Sequence, residues 1–470
     1  MTHPLFQRSS GVLLPLASVP APGGIGDMGP AARHFVEWLE AAGQRWWQML
    51  PVHPLGRGNS PYDSSSAFAG EAAYLSIDDL VRDGILPAAC LRGAPKPAEG
   101  RVSPRKAWSW KKPLLLRAFR TWTKQGGAQS KAFERFCAEQ SVWLGAWEVY
   151  ENAEPGLSAF LQFQFERQWQ SLREHARAHG IALLGDVPLF VGADSADVQA
   201  HPKLFRLNRR GKPTVISGCP PDAFSSDGQL WGHPHYDWKA HRAEGFRWWR
   251  ERVARELQLF DALRLDHFIG IQRAWEVKAN HKTARHGQWV KGPGAALLGA
   301  LADGGQALPL VAEDLGAITP AVRALRDQFD LPGMRVLQWG FDPGSEHAPE
   351  SVPENSLVYC GTHDNDTSAG WFRGLDKQHK ARVLSRTGGS AASLPWDLWQ
   401  CASSTAAHTA IVQLQDLLSL GRVARTNTPG TSRGNWCWRP DPAVLSKDLA
   451  VRTRALATST ARFMGHGVRD

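Results

Sequence analysis

Arg264 and Asp266 stand two residues apart near the end of a short apolar run, Phe260-Asp261-Ala262-Leu263-Arg264-Leu265-Asp266-His267-Phe268. In a strand the side chains alternate faces, so Leu263 and Leu265 share one face and Arg264 and Asp266 the other. A guanidinium beside a carboxylate keeps it ionised and fixes its orientation. A carboxylate nucleophile needs both conditions. A structural ion pair closing a strand has the same pattern, and this segment alone does not separate the two readings.

Two further acids occupy matching positions. Glu313 follows Leu308-Pro309-Leu310-Val311-Ala312, and Asp364 follows Leu357-Val358-Tyr359-Cys360 after a three-residue turn. Glycoside chemistry with retention uses two opposed carboxyl groups, one attacking the anomeric carbon and one protonating the leaving oxygen. A third acid can orient the sugar and support the cationic transition state. Asp266, Glu313 and Asp364 therefore form a candidate catalytic set, provided that the fold brings three separate strand ends together.

The spacing of apolar runs supplies such a fold. Strands are expected at 11–15, 46–51, 181–188, 260–268, 308–313, 334–339, 357–360 and 411–414, separated by helices or insertions. Phe35, Trp38, Leu39 and Ala42 mark a helix ending near Gly43, and Thr319 is expected to cap a helix that starts at Pro320. Eight parallel strands close a (β/α)8 TIM barrel, whose sites form at the C-terminal strand ends. The three acids would then end the fourth, fifth and seventh strands. Residues 1–470 are expected to form one catalytic barrel domain. A helical insertion is expected at about 85–170 and a long ordered loop at about 192–238, with no C-terminal β domain.

Composition excludes several classes. Hydrophobic content of 43% and charged content of 21% describe a globular chain. Six well-separated cysteines argue against a disulfide framework or thiolate zinc site and for a reducing, cytoplasmic compartment. No apolar run spans a membrane, and the short proline-broken run after Arg8 reads as a first strand. The net charge of +9 is scattered and forms no basic block, so no nucleic acid is expected. The 21 tryptophans suit both a core and flat surfaces for sugar rings.

The same strand-end residues admit rival chemistries. Asp266, His267, His363, Asp364 and Asp366 include metal-ligand types. The only histidines at helical i, i+4 spacing are His175 and His179, with no glutamate between them and on the approach to a strand rather than at its end. No catalytic metal or cofactor is expected. Gly23-Gly24-Ile25-Gly26 lacks the ending of a phosphate loop. A non-catalytic sugar-binding module would use the tryptophans without needing the strand-end acids.

The chain closely resembles the 4-α-glucanotransferases, the amylomaltase or disproportionating-enzyme family of the α-amylase clan. The resemblance runs nearly end to end. It is carried by Ser9-Ser10-Gly11-Val12-Leu13-Leu14, Gly58-Asn59-Ser60-Pro61-Tyr62, Gly185-Asp186-Val187-Pro188, Pro220-Pro221-Asp222-Ala223-Phe224-Ser225 and Gly228-Gln229-Leu230-Trp231-Gly232. The three acid-bearing segments, Gln415-Asp416-Leu417-Leu418 and Asn427-Thr428-Pro429-Gly430-Thr431 complete it. The resemblance implies that Asp266 is the nucleophile, Glu313 the acid/base and Asp364 the transition-state stabiliser. It implies that Arg264, His267 and His363 hold the donor sugar. Ser60, Tyr62, Asp186, Asp222, Phe224, Trp231 and Asn427 would contact the glucan. The implied activity moves α-1,4-glucan segments between maltooligosaccharide or starch-type glucans, with an α-glucan hydrolase as the alternative. A monomer is expected. Ile269 and Ala223 depart from the arginine and tyrosine common in the family at those places.

Prolonged chelation is expected to leave glucan turnover intact, since no metal ligand set accompanies the acids. Activity lost to chelator and restored by one divalent ion would show otherwise.

Overall fold

A computed structural model describes Leu5 and residues 7–96, 100–221, 225–302 and 307–463. Eight parallel strands form its centre: β1 (Ser9–Leu13), β2 (Trp46–Gln48), β3 (Ala182–Val187), β6 (Ala262–Leu265), β9 (Leu310–Ala312), β10 (Gly333–Val336), β11 (Ser356–Tyr359) and β12 (Thr409–Gln413). Their order, β10-β11-β12-β1-β2-β3-β6-β9, follows the chain around a barrel. All eight coincide with the expected runs, although most are shorter. Residues 337–339, expected as the end of a strand, form a 3-10 turn instead.

The barrel closes between β9 and β10. Ala312 N–H donates to the Pro332 carbonyl at 2.8 Å. Asp314 completes the seam, accepting Met334 N–H at 2.7 Å and Arg326 Nη1 at 2.5 Å. Two apolar layers result from strand alternation. Leu13, Trp46, Leu184, Ala262, Val311, Met334, Leu357 and Ile411 fill the interior. Leu183, Leu263, Leu265 and Val358 face the surrounding helices. Gly11 makes room for Trp46, whose Cβ lies 2.4 Å from where a Gly11 Cβ would stand.

The helix Pro30–Ala41 follows β1, and the chain leaves it through Gly43 at φ +68°. Helices Pro104–Lys124, Lys131–Glu139, Leu144–Glu151 and Leu157–Ala178 lie between β2 and β3. Their core is aromatic, with Trp122 set 5.0 Å from Phe133 and 4.9 Å from Phe160. The helix Pro320–Gln328 begins as expected, but Thr319 makes no side-chain capping bond. Pro320 at its first position has no N–H to satisfy, so the start depends less on a cap. No helix among the described residues is long and apolar enough to cross a membrane.

A second sheet was not foreseen. β4 (Val215–Cys219), β5 (Gln229–Pro234), β7 (Arg273–Lys278) and β8 (Gly287–Lys291) form an antiparallel sheet in the order β5-β4-β7-β8. It joins the long loop after β3 to the segment after β6. β5 and β8 are mostly half-buried along their length. They therefore lack the in–out alternation by which a strand is recognised. No strand follows β12 among the described residues.

Asp314→Ala should lower unfolding stability by about 1–3 kcal/mol, because it leaves the buried Met334 N–H unpaired and takes from Arg326 one of the two carboxylates it contacts. Urea denaturation followed by circular dichroism measures this. A loss under about 1 kcal/mol would show that the seam does not depend on Asp314.

Candidate active site

Strand register brings the first pair together. Ala182 and Leu184 face the barrel interior on β3, so Asp186 follows them inward; Ala262 does the same for Arg264 on β6. β3 and β6 pair with Asp186 opposite Arg264. Arg264 Nη1 reaches both Asp186 oxygens, at 2.8 and 2.6 Å. Its Nη2 donates to Asp266 Oδ1 at 2.7 Å. One buried guanidinium thus holds two carboxylates, and the Tyr62 hydroxyl donates to Asp186 Oδ2 at 2.8 Å. Burial pushes the Asp186 carboxyl up, while Arg264 and Tyr62 pull it back.

Past Asp266 the chain turns sharply. His267 adopts the left-handed conformation at φ +54°, uncommon for a residue with a side chain. That turn points its N–H at Glu313 Oε2, 2.8 Å away. The other oxygen, Oε1, accepts Leu315 N–H at 3.2 Å. Burial, with the Asp266 charge adding to it, lifts the Glu313 carboxyl well above the ordinary carboxylate range, and Arg264 only partly opposes the rise. Burial lowers His267 to about 4, so its ring is neutral, and Nε2 is buried with no hydrogen-bond partner among the described residues.

Asp364 follows β11. Asn427 Nδ2 donates to its Oδ1 at 2.6 Å, and His363 Nε2 lies 3.4 Å from Oδ2. The Tyr62 ring stacks on His363, with centroids 5.3 Å and planes 16° apart. Trp231 sets its ring perpendicular to His267 at 4.8 Å. Ser60 Oγ accepts Tyr62 N–H at 3.2 Å, so it orders the loop that carries the tyrosine. Asp222 and Phe224 lie outside the described residues.

The structure adds residues that the sequence reading passed over. Arg425 donates to the Asp364 carbonyl at 2.5 Å and to the Asn427 carbonyl at 2.6 Å, fixing the two loops together. Trp436 lies 5.7 Å from the Tyr62 ring and 5.9 Å from His363. Asp63 accepts Arg57 Nε at 2.7 Å and sits 3.4 Å from His233 Nε2. Burial raises the Asp63 carboxyl, but His233 and then Arg57 outweigh it and bring it down to about 2. The aromatic excess was the only sequence signal for Trp436. Arg425 and Asp63 had none beyond lying close to Asn427 and Tyr62.

A (β/α)8 barrel with an arginine-held carboxylate, a half-buried glutamic acid of raised pKa one strand away and a third acid beside stacked rings defines a class: barrel enzymes that rearrange glycosidic bonds with carboxyl groups. The family model described as 4-alpha-glucanotransferase, glycoside hydrolase family 77, matches residues 14–155 and 146–443. A 4-alpha-glucanotransferase from Thermus thermophilus is 39% identical over 97% of this chain and 99% of its own. One from Synechocystis is 40% identical over 95% of this chain and 96% of its own. The amylomaltase from Streptococcus agalactiae, solved with acarbose, superposes with a TM-score of 0.93 at 30% identity, covering 97% of this chain and 100% of its own. The chain belongs to the 4-alpha-glucanotransferase family and is a glucan-transferring enzyme.

The state of Glu313 has a pH signature. Folded Glu313 holds its proton above the ordinary pKa, so the native state binds more protons than the unfolded chain between the two values. Stability therefore falls as pH rises through that window. Glu313→Gln should be more stable than the parent on the alkaline side and converge with it near pH 4. The parent's kcat/KM should fall on an alkaline limb above the ordinary carboxylate range as the acid is lost. A limb near pH 4–5, with no stability gain in the variant, would contradict the assignment.

Proposed function

We propose that Asp266, Glu313 and Asp364 carry out a retaining double displacement on α-1,4-glucans. The free oxygen of Asp266 attacks the anomeric carbon while Glu313 gives its proton to the departing 4-oxygen, so the glycosidic bond breaks as the glycosyl-enzyme forms. Glu313, now a carboxylate, takes the proton from an acceptor 4-hydroxyl. That oxygen attacks the same carbon and releases Asp266. Asp364, oriented by Asn427, faces the developing positive charge. His267 Nε2, buried and without a hydrogen-bond partner among the described residues, is suited to a sugar hydroxyl. The observation that carries this reading is the contact between the two strand ends: the peptide directly after arginine-held Asp266 bonds the proton-retaining carboxyl of Glu313.

Maltooligosaccharides and starch-type glucans are the substrates that fit this site. The three acids follow strands of one eight-stranded barrel, which supports one catalytic domain, and action as a monomer belongs to the same proposal. The six free thiols fit a reducing compartment such as the cytoplasm. Three plant relatives carry chloroplastic/amyloplastic names.

Maltotriose should become glucose and a ladder of longer maltooligosaccharides with total reducing ends nearly constant. Glu313→Gln should lower turnover about 10²–10⁴-fold. Its first step should recover with a glucosyl fluoride donor, whose leaving group needs no proton. Phe224→Ala should lower transfer more than hydrolysis. Reducing ends that rise steadily would make the protein a hydrolase and leave the carboxylate roles standing. Loss unrelieved by the fluoride would remove Glu313 as the acid.

A further inference from the structure

The histidine pair set aside as a catalytic metal motif gains a carboxylate in three dimensions. His175 lies near the end of the helix Leu157–Ala178 and His179 just beyond it, one turn apart, with ring centroids separated by 4.5 Å. Glu37 comes from a different helix, Pro30–Ala41, which sequence spacing could not reveal. One ligand atom from each of Glu37, His175 and His179 lies within 4.8 Å of the other two. His175 Nε2 stands 3.5 Å from Glu37 Oε1, yet this nitrogen is buried with no hydrogen-bond partner among the described residues. Two ligands at 2.0–2.1 Å from one tetrahedral ion are separated by about 3.3 Å, so this pair already has the span of a coordination edge. His179 Nδ1 contacts Glu40 Oε2 at 2.7 Å. A carboxylate that orients the ring through one nitrogen leaves the other for a metal, the usual second partner of a metal-binding histidine. His34 Nδ1 also lies 3.7 Å from Glu37 Oε2.

We propose that Glu37, His175 and His179 form a binding site for a divalent transition ion of the zinc type, separate from the reaction centre. Two imidazoles and one carboxylate suit zinc, with water completing the coordination. The site is on the approach to the N-terminal end of β3, whereas the three acids follow the C-terminal ends of their strands. Its ion would staple the first barrel helix to the helix that delivers the chain into β3, and so act on stability rather than turnover.

The test uses the full chain after chelator treatment and dialysis, titrated with zinc chloride by calorimetry and with cobalt chloride by visible absorption. One equivalent of zinc should bind per chain, cobalt should give the absorption of a low-coordinate nitrogen–oxygen site, and zinc should raise the melting temperature. His175→Ala and His179→Ala should each weaken zinc at least tenfold and abolish the melting shift. Glu37→Gln, which disturbs packing least, should also weaken binding. His379→Ala, at a histidine–carboxylate contact elsewhere, should leave the titration unchanged. Maltotriose turnover should be the same with and without zinc. Absence of stoichiometric binding, binding insensitive to all three variants, or turnover that requires the ion would overturn the proposal.

Discussion

The site depends on one buried cation. Arg264 has almost no exposure and sits inside a barrel whose interior is largely apolar, with Leu184, Ala262, Val311, Met334 and Ile411 among its lining. A lone charge there is not tolerated, since an unpaired buried ion costs several kcal/mol. Asp186 answers it with a two-oxygen contact across paired strands, and Asp266 answers the remaining nitrogen. Asp266, the proposed nucleophile, is therefore one of two counter-ions that the arginine requires. Neither acid could be moved without leaving the guanidinium short of a partner. The register of β3 against β6 is the constraint underneath: a slip by one residue would turn Asp186 out of the barrel.

Around this fixed charge the other acid is set in the opposite sense. Glu313 receives two backbone N–H groups but no cation in direct contact, and it faces the Asp266 charge. Two carboxyl groups on neighbouring strands thus have different surroundings, a guanidinium on Asp266 and burial with two peptide N–H groups on Glu313, and the proposed nucleophile and acid roles rest on that difference. The left-handed turn at His267 makes this possible. In an ordinary extended continuation of β6 the peptide N–H would stay in the strand ladder. The strained turn directs it to Glu313 and keeps the imidazole in the pocket.

How much of this could be read from the chain follows from burial. Strands covered on both faces are nearly continuous apolar runs, and an acid at the end of such a run stands out. All eight barrel strands were legible for that reason, and so were the positions of Asp266, Glu313 and Asp364 beyond strand ends. Asp186 was visible only as an acid near a strand end, because its meaning lies in register, and register is a relation between two strands. The four-stranded antiparallel sheet escaped because half-buried strands such as β5 lack a hydrophobic pattern. Arg425 and Trp436 escaped for another reason: each acts on a loop distant in sequence, through a backbone carbonyl or a ring face, and residue type alone announces neither. Glu37 beside His175 and His179 belongs with them, as a cluster assembled from two helices.

The same distinction bears on transfer against hydrolysis. The two carboxyl groups and their protonation states are common to both reactions, since water and a sugar hydroxyl can each open a glycosyl-enzyme. What differs is the local concentration and orientation of the acceptor, and these are set by the rim rather than by the barrel. The rim here is built from separate pieces of chain: Tyr62, His363 and Trp436 in contact on one side, and Trp231 against His267 on the other. Asp63 ties the loop after β2 to β5 through His233, and its low pKa keeps it ionised through the neutral range. A rim held by packed rings and ion pairs presents flat faces to sugar rings and limits the open space in which water competes. On the proposed mechanism, selection of a sugar over water would follow from how loops far apart in sequence are locked together, and the unforeseen second sheet, which carries Trp231 and His233, is part of that lock.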